Sequence, residues 1–436
     1  MPAETKPDCA KLQVALDFLE LSRALAAARE AVKGGADILE AGTPLIKSEG
    51  LDSVRQLRAE FPQIEIVADL KTMDAGRAEM EAAAKAGANA AMVLGVASES
   101  TLAECAEAGL NYGIRVGVDL LGVNDVERVA KFAEEIGVDH LSVHCPIDDQ
   151  MRGGNPFERL RALSEITGLP LSVAGGINSE TAPKAVEAGA SVVIVGGAVI
   201  KAVDAEKATR DIKRAIATGK PVETELFRRV TDEQIGEILS KISTANLSDA
   251  LHRGGVLEGI RPIRPGLRMF GRAVTARTYP GDWAKPVQAI EVAGPGEIVV
   301  IDAGGVPPAV WGELATESSI QRGLAGVVID GAIRDSGEIR ELGFPAFARH
   351  VCPNAGEPKG FGELNVPVTL AGKRVSPGDL ILGDDDGVVV VEAARASEYV
   401  NRAMDVLEKE NRLREEIRRG STLSEVAELL RWEKRG

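Results

Sequence analysis

An α/β chain with an N-terminal (β/α)8 TIM barrel, then a mixed α/β layered domain and a helical tail, is the architecture this sequence predicts. Three observations predict it. Residues 11 to about 217 alternate eight short apolar runs with amphipathic helical stretches: KLQVALD, ADILEAG, IEIVADL, NAAMVLG, YGIRVGVDL, VDHLSVH, LPLSVAGG and SVVIVGG. Eight strand–helix repeats in so short a span match a barrel. Several helical stretches stop at a glycine that leads straight into the next strand, as at Gly35, Gly87, Gly137 and Gly189, where a left-handed residue ends a helix. After Asn246 the rhythm changes to strand-rich sequence with frequent glycine turns and few helices. A doubly wound sheet is the alternative for the first half, but no dinucleotide fingerprint follows its first strand.

Composition narrows the function classes. With 436 residues the chain suffices for two or three domains. Its net charge of −15 argues against general binding of nucleic acid or anionic membranes. No apolar run reaches a spanning length, and the opening MPAETKPDCAK does not read as a signal peptide. Cys9, Cys105, Cys145 and Cys352 lack metal-site spacing. They read as packing thiols in a reducing cytoplasm, although Cys145 adjoins a candidate site residue.

Taken in order, the elements place polar residues at the carboxyl ends of the strands, where barrels carry chemistry. Those ends carry Asp17, Glu40, Asp69 with Lys71, Asp119, His144, Gly175–Gly176 and Gly196–Gly197. Helices are predicted at 21–33, 51–61, 75–86, 100–108 and 126–136. The third strand runs into Asp69-Leu70-Lys71-Thr72-Met73-Asp74. Strand pleating would put Asp69 and Lys71 on one side, with Asp74 on the turn and Gly76 releasing the next helix. Two carboxylates and an ammonium so close together form either a surface salt-bridge cluster or a site. His144 at a strand end suits a proton shuttle, whereas His140, at the start of the same strand, reads as structural. The two Gly-Gly turns after the seventh and eighth strands suit a backbone phosphate cradle.

On these residues the first half, from Leu12 to about Ala217, resembles the 3-hexulose-6-phosphate synthase family of the orotidine-monophosphate-decarboxylase suprafamily. The resemblance rests on Leu12-Gln13-Val14-Ala15-Leu16-Asp17, on Glu40-Ala41-Gly42-Thr43-Pro44, on the Asp-x-Lys-x-x-Asp signature at Asp69, Lys71 and Asp74, and on both glycine loops. It implies Mg²⁺ (or Mn²⁺) on Glu40 and Asp69, and the phosphate of a pentulose phosphate on Gly175, Gly176, Gly196 and Gly197. It also implies a catalytic set of Asp17, Lys71, Asp74 and His144, with Asp74 reaching the neighbouring subunit's site in a dimer. The expected reaction is reversible condensation of formaldehyde with ribulose 5-phosphate through an enediolate. The 3-keto-gulonate-phosphate decarboxylases are similar too, but carry arginines where this chain has Ile147 and Gly197.

Residues 218–223 break the pattern with Gly219 and Pro221. The expected division is a barrel at 1–220, a helical linker at 221–243, a layered domain at 244–394 and a helical tail at 395–436. Within the linker, helices are predicted at 224–229 and 232–242, with a capping box from Thr231 to Gln234. Strands are predicted near 271–278, 297–302, 326–330, 344–348, 366–370, 379–383 and 387–391, with helices through Ile320 and at 336–342. The tail is rich in charge pairs spaced four apart.

Two clusters stand out in the second half. Gly312-Glu313-Leu314-Ala315 opens a helix whose amides could hold a carboxylate. Arg334 and Asp335 could pair with an enolate and bind a metal, directly or through water, or could be an ordinary cap and salt bridge. Residues 244–391 resemble the RraA-like family, which includes class II 4-hydroxy-4-methyl-2-oxoglutarate aldolases. The similarity rests on Leu247-Ser248-Asp249-Ala250, Gly271-Arg272-Ala273-Val274-Thr275, Val300-Ile301-Asp302-Ala303-Gly304-Gly305, the Gly312 loop and Gly331-x-x-Arg334-Asp335. It implies a 2-oxo acid held on the Gly312 loop, enolate stabilisation by Arg334 and a metal at Asp335. Glu313 and Glu338 match acidic positions of the aldolases. A ribonuclease-binding regulator without chemistry belongs to the same family. The two resemblances together imply a cytoplasmic homo-oligomer with dimeric barrels and trimeric RraA-like domains.

Overall fold

Alternation at period two builds the barrel. In β1 (Lys11–Leu16) the buried Leu12, Val14 and Leu16 join the core beneath the helices, while Gln13, Ala15 and the following Asp17 line the interior. The same alternation turns Glu40 inward from β2 (Ile38–Ala41), Asp69 from β3 (Glu65–Thr72) and Met92 from β4 (Ala90–Leu94). It turns Asp119 inward from β5 (Arg115–Asp119), and Ser142 and His144 from β6 (His140–His144). β7 (Leu171–Ala174) and β8 (Val192–Val195) complete the set. All eight strands are parallel, and β8 pairs with β1 to close the barrel. The computed structural model describes residues 10–427. Cys9 and the tail residues 428–436 lie outside the described residues.

The glycines expected to stop helices do so. Gly87 and Gly137 have φ of 94° and 75° and cap helices Gly76–Ala86 and Val126–Ile136. His140 lies at the amino end of β6, where a Cβ on Gly117 would run into its ring. Burial, then the nearby Arg115, hold its pKa down at about 4, as suits a structural imidazole.

Contacts divide the chain into two units, one up to Arg229 together with the residues from Glu408 on, the other Val230–Leu407. The helix Ala396–Arg418 is therefore divided between them. In the first unit its buried Arg412 pairs with Glu30 at 2.9 Å and Glu416 at 3.0 Å, and donates to the Ala202 carbonyl. In the second unit Val400 and Ala403 of the same helix join a core with Leu382 and Val391.

The second unit is a mixed sheet. Met269–Arg277, Ile298–Asp302, Gly326–Ile333 and Ala346–Val351 run parallel. Antiparallel Leu380–Asp384 and Gly387–Val391 extend one edge, and Arg261–Pro262 the other. Val299, Ile301, Val327 and Ile329 are fully buried in its core.

Several local expectations give way. Residues 224–229 are not helical; Phe227 sits at φ 55° in a turn. The capping box at Thr231 does not form, because the segment begins as a 3-10 turn, Asp232–Gln234. In it the Gln234 amide bonds the Thr231 carbonyl rather than its side chain. A capping box forms instead at Ser243 and Asn246, opening a helix Thr244–Ala250 that the pattern did not reveal. The helix Ala284–Val292 and the short strands Ala309–Trp311, Glu363–Leu364 and Lys373–Val375 also escaped the pattern. The last of these pairs with Val368–Leu370 in a separate ribbon.

Candidate active sites

The barrel cavity, about 340 Å³, is lined by Asp17, Glu40, Asp69, Lys71, Asp119, His144 and both glycine loops, Gly175–Gly176 and Gly196–Gly197. Asp69 and Lys71 do meet, with Nζ 3.1 Å from Oδ2, but not by simple pleating. Lys71 is left-handed at φ 48°, and the β3–β4 register shifts between Ala68 and Thr72. A bulge re-aims the side chain. Lys71 Nζ reaches Asp119 Oδ2 at 2.8 Å, and the same oxygen lies 3.6 Å from His144 Nδ1. Asp119 thus joins the lysine to the histidine. Its strand-end position was visible in the sequence, but this bridging role was not.

The electrostatics follow from that arrangement. Burial pushes the Asp119 carboxyl up, but His144 and Lys71 outweigh it and hold the pKa at about 2. Burial lowers Lys71, but Asp69 and Asp119 outweigh it and raise the ammonium above its usual range. Glu40 is raised well above the carboxylate range by burial, then by Asp69 and Asp17. Asp17 is raised by desolvation in the barrel mouth and then by Asp69. Gln13 donates to Glu40, and Thr43 Oγ1 donates to Asp69 Oδ2 at 2.7 Å. Gly42 leaves room for Asp17, whose Oδ1 a Cβ there would strike.

This excess of buried carboxylate around Lys71 is a donor set that a divalent cation would compensate. Among the described residues no three His, Cys, Asp or Glu side chains converge as a ready-made cage. Mg²⁺ usually takes one or two carboxylates and completes its shell with water and substrate oxygens, so Glu40 with Asp69 fit it. Asp74 is exposed, accepts its neighbour's amide (Ala75 N–H, 2.8 Å) and does not line the cavity of its own barrel. Cys145 is buried with a thiol pushed up by desolvation, which leaves it a packing residue.

In the second unit a smaller cavity, about 150 Å³, is lined by Trp283, Trp311, Gly312, Leu314, Ala315, Arg334 and Asp335, among others. Asp335, left-handed at φ 55°, stands at the N-cap position of the helix Ser336–Leu342, but its side chain makes no capping hydrogen bond. Its Oδ2 takes the Glu313 amide at 3.1 Å and lies 3.5 Å from Arg334 Nε. The Glu313 amide is therefore already engaged, contrary to its expected freedom for a ligand carboxylate. Gly312 lets Asp335 approach: a Cβ there would lie 2.5 Å from Asp335 Oδ2 and force that carboxylate to shift. Glu338 is exposed and outside the lining. Among the described residues Asp335 is the one carboxylate that lines this cavity.

Comparisons agree with both halves. Residues 10–212 match the Orotidine 5'-phosphate decarboxylase / HUMPS family, and residues 244–390 match Aldolase/RraA. The 3-hexulose-6-phosphate synthase of Mycobacterium gastri is 39% identical over 48% of this chain and 100% of its own length. An uncharacterised protein of Methanocaldococcus jannaschii is 42% identical over 44% of this chain and 93% of its own. A crystal structure of 3-hexulose-6-phosphate synthase from Salmonella typhimurium is 35% identical, covers 48% of this chain and 99% of that one, and gives a TM-score of 0.47.

Proposed function

We propose, for a chain that belongs to the Orotidine 5'-phosphate decarboxylase / HUMPS family and carries a fused Aldolase/RraA domain, that the barrel is a 3-hexulose-6-phosphate synthase. It condenses ribulose 5-phosphate with formaldehyde, reversibly. The observation that carries this reading is the Asp69–Lys71–Asp119–His144 chain of contacts in one cavity with two glycine loops. In the forward direction a proton leaves C1 of the bound ketose, and His144 is the group suited to take it. Lys71, kept charged by Asp69 and Asp119, donates to an enediolate oxygen. C1 of the enediolate attacks formaldehyde: the new C–C bond forms as the formaldehyde C=O π bond breaks, the C2 carbonyl of the ketose re-forms, and the formaldehyde-derived oxygen takes up a proton to become a hydroxyl. Glu40 and Asp69 would hold Mg²⁺ (or Mn²⁺), which when bound supplies positive charge to the developing oxyanions.

Ile147 and Gly197 both line the cavity, in the positions where the related decarboxylases carry arginine, and this favours the aldol reading over decarboxylation. For the second unit, Arg334 beside Asp335 in a tryptophan-lined cavity supports lyase chemistry on a small 2-oxo acid. A regulatory or assembly module is the rival reading.

The test is formaldehyde release from 3-hexulose 6-phosphate by the full chain with Mg²⁺. Lys71→Ala should lower release by about a thousandfold or more, EDTA should abolish it, and Arg334→Ala should leave it intact. A folded protein that releases no formaldehyde would overturn the synthase reading. Oxaloacetate decarboxylation lost on Arg334→Ala would favour chemistry in the second unit; none at all would favour the regulatory reading.

A further inference from the structure

The eight-stranded barrel does not line its cavity alone. Residues 222–229, which follow the last barrel helix, lie against the chain just beyond both glycine loops. After Gly175–Gly176, Ser179 exchanges hydrogen bonds with Val222 (Oγ to its carbonyl at 2.7 Å, carbonyl from its amide at 3.0 Å). Asn178 Nδ2 donates to the Leu226 carbonyl at 3.0 Å, and Glu180 accepts from the Thr224 amide and from Arg228. After β8, the ring of Phe227 occupies the space a side chain at Gly197 would need; a Cβ there would fall inside it. Phe227 is 7% exposed and forms part of the cavity lining.

Its backbone is left-handed at φ 55°. A bulky residue keeps that conformation only where its surroundings over-determine it. Glu408 does so here. One carboxylate oxygen accepts the Phe227 amide at 2.5 Å and the other pairs with Arg229 at 3.4 Å; both side chains are almost fully buried. Two cations use the ring: Arg229 Cζ lies 4.0 Å from its centroid, and Lys201 Nζ, which also lines the cavity, lies 5.5 Å away. A cation over an aromatic face is held by the ring quadrupole.

We propose that Phe227 and Lys201 complete the phosphate-binding end of the barrel cavity, Lys201 as the cation facing the anion and Phe227 as the wall that positions it over Gly197, with Glu408 as the positioning residue behind them. The inference rests on the reading of the barrel as a sugar-phosphate site. It makes residues outside the eight strand–helix repeats part of substrate recognition.

The experiment is calorimetric titration of the full chain, with Mg²⁺, by inorganic phosphate and by ribulose 5-phosphate, alongside thermal melting. Phe227→Ala and Lys201→Met should each weaken both ligands by about tenfold or more. Phe227→Leu, which keeps the apolar fill, should restore most of the affinity. In the aldol assay Phe227→Ala should raise KM more than it lowers kcat. Unchanged affinity in a folded Phe227→Ala protein would overturn the proposal, as would a wild-type chain that binds neither ligand. If Phe227→Ala does not fold, an unchanged affinity in Lys201→Met overturns it. Phosphate binding that depends on Phe227 and Lys201 in a protein without formaldehyde chemistry would uphold the cradle and remove the synthase reading.

Discussion

At the scale of single residues, the barrel cavity is lined by more carboxylates than Lys71 and Lys201 offset. Glu40 is raised well above the carboxylate range by burial and by Asp69 and Asp17. A carboxyl whose folded pKa lies above its unfolded value penalises folding as pH rises through that interval. Glu40→Gln is therefore expected to raise the melting temperature of the metal-free protein near neutral pH, and to remove the stabilisation that Mg²⁺ should give wild type if Glu40 helps hold it. Melting curves with and without Mg²⁺ check both. His140 has the opposite sense of charge. Its pKa is depressed to about 4, so its neutral form supports the fold above its unfolded value of about 6.5, and that support is lost as pH falls towards 4. The loss is on the order of 3 kcal/mol. Denaturant titrations between pH 7 and 4 should show a flatter profile for His140→Asn than for wild type.

At the scale of elements, the carboxyl-terminal part of the helix Ala396–Arg418 belongs structurally to the barrel unit through Arg412. That guanidinium is 4% exposed and pairs with Glu30 and Glu416. Removing one partner of a buried pair leaves the other uncompensated, so Arg412→Ala should cost about 3 kcal/mol in denaturant unfolding at pH 7. Burial raises the Glu30 carboxyl, but Arg412 and Arg419 outweigh it and hold it below its usual value. The contribution is therefore present above the unfolded pKa near 4.3 and declines as pH falls below it. The difference between wild type and Arg412→Ala should shrink accordingly in acid. The helix that begins at Glu313 depends on its glycine in a similar way. Gly312→Ala would push against Asp335 Oδ2 and should disable any lyase activity of the second unit more than it lowers that unit's stability, as paired activity and melting measurements would show.

At the scale of the whole molecule, Asp74 sets the expectation. It carries the third position of the Asp-x-Lys-x-x-Asp signature, yet it is exposed and outside the cavity of its own barrel. If it serves a neighbouring subunit, Asp74→Ala and Lys71→Ala proteins, each inactive, should regain about a quarter of wild-type formaldehyde release when mixed and allowed to exchange subunits, since random pairing into dimers leaves one intact site in half of them. No recovery would place Asp74 outside the reaction. Among the described residues no helix is long and apolar enough to cross a membrane.

The barrel and most of its reactive lining were legible in the amino-acid order alone. Period-two alternation and eight repeats are local properties, and they decide which of Asp17, Glu40, Asp69, Asp119 and His144 turn inward. The glycine helix stops were legible for the same reason. The rest depends on contacts between residues far apart in the chain. Asp119 links Lys71 to His144 across a separation of 48 residues from the lysine. The bulge that aims Lys71 comes from pairing with β4, so Asp69 and Lys71 meet through that bulge rather than through strand pleating. The Glu313 amide is taken by Asp335, which no local pattern reveals. Residues 224–229 have helical composition but are held as a turn by Glu408, 181 residues beyond Phe227. Local propensity there amounts to tenths of a kcal/mol per residue, and a buried charged acceptor and a filled cavity wall outweigh it.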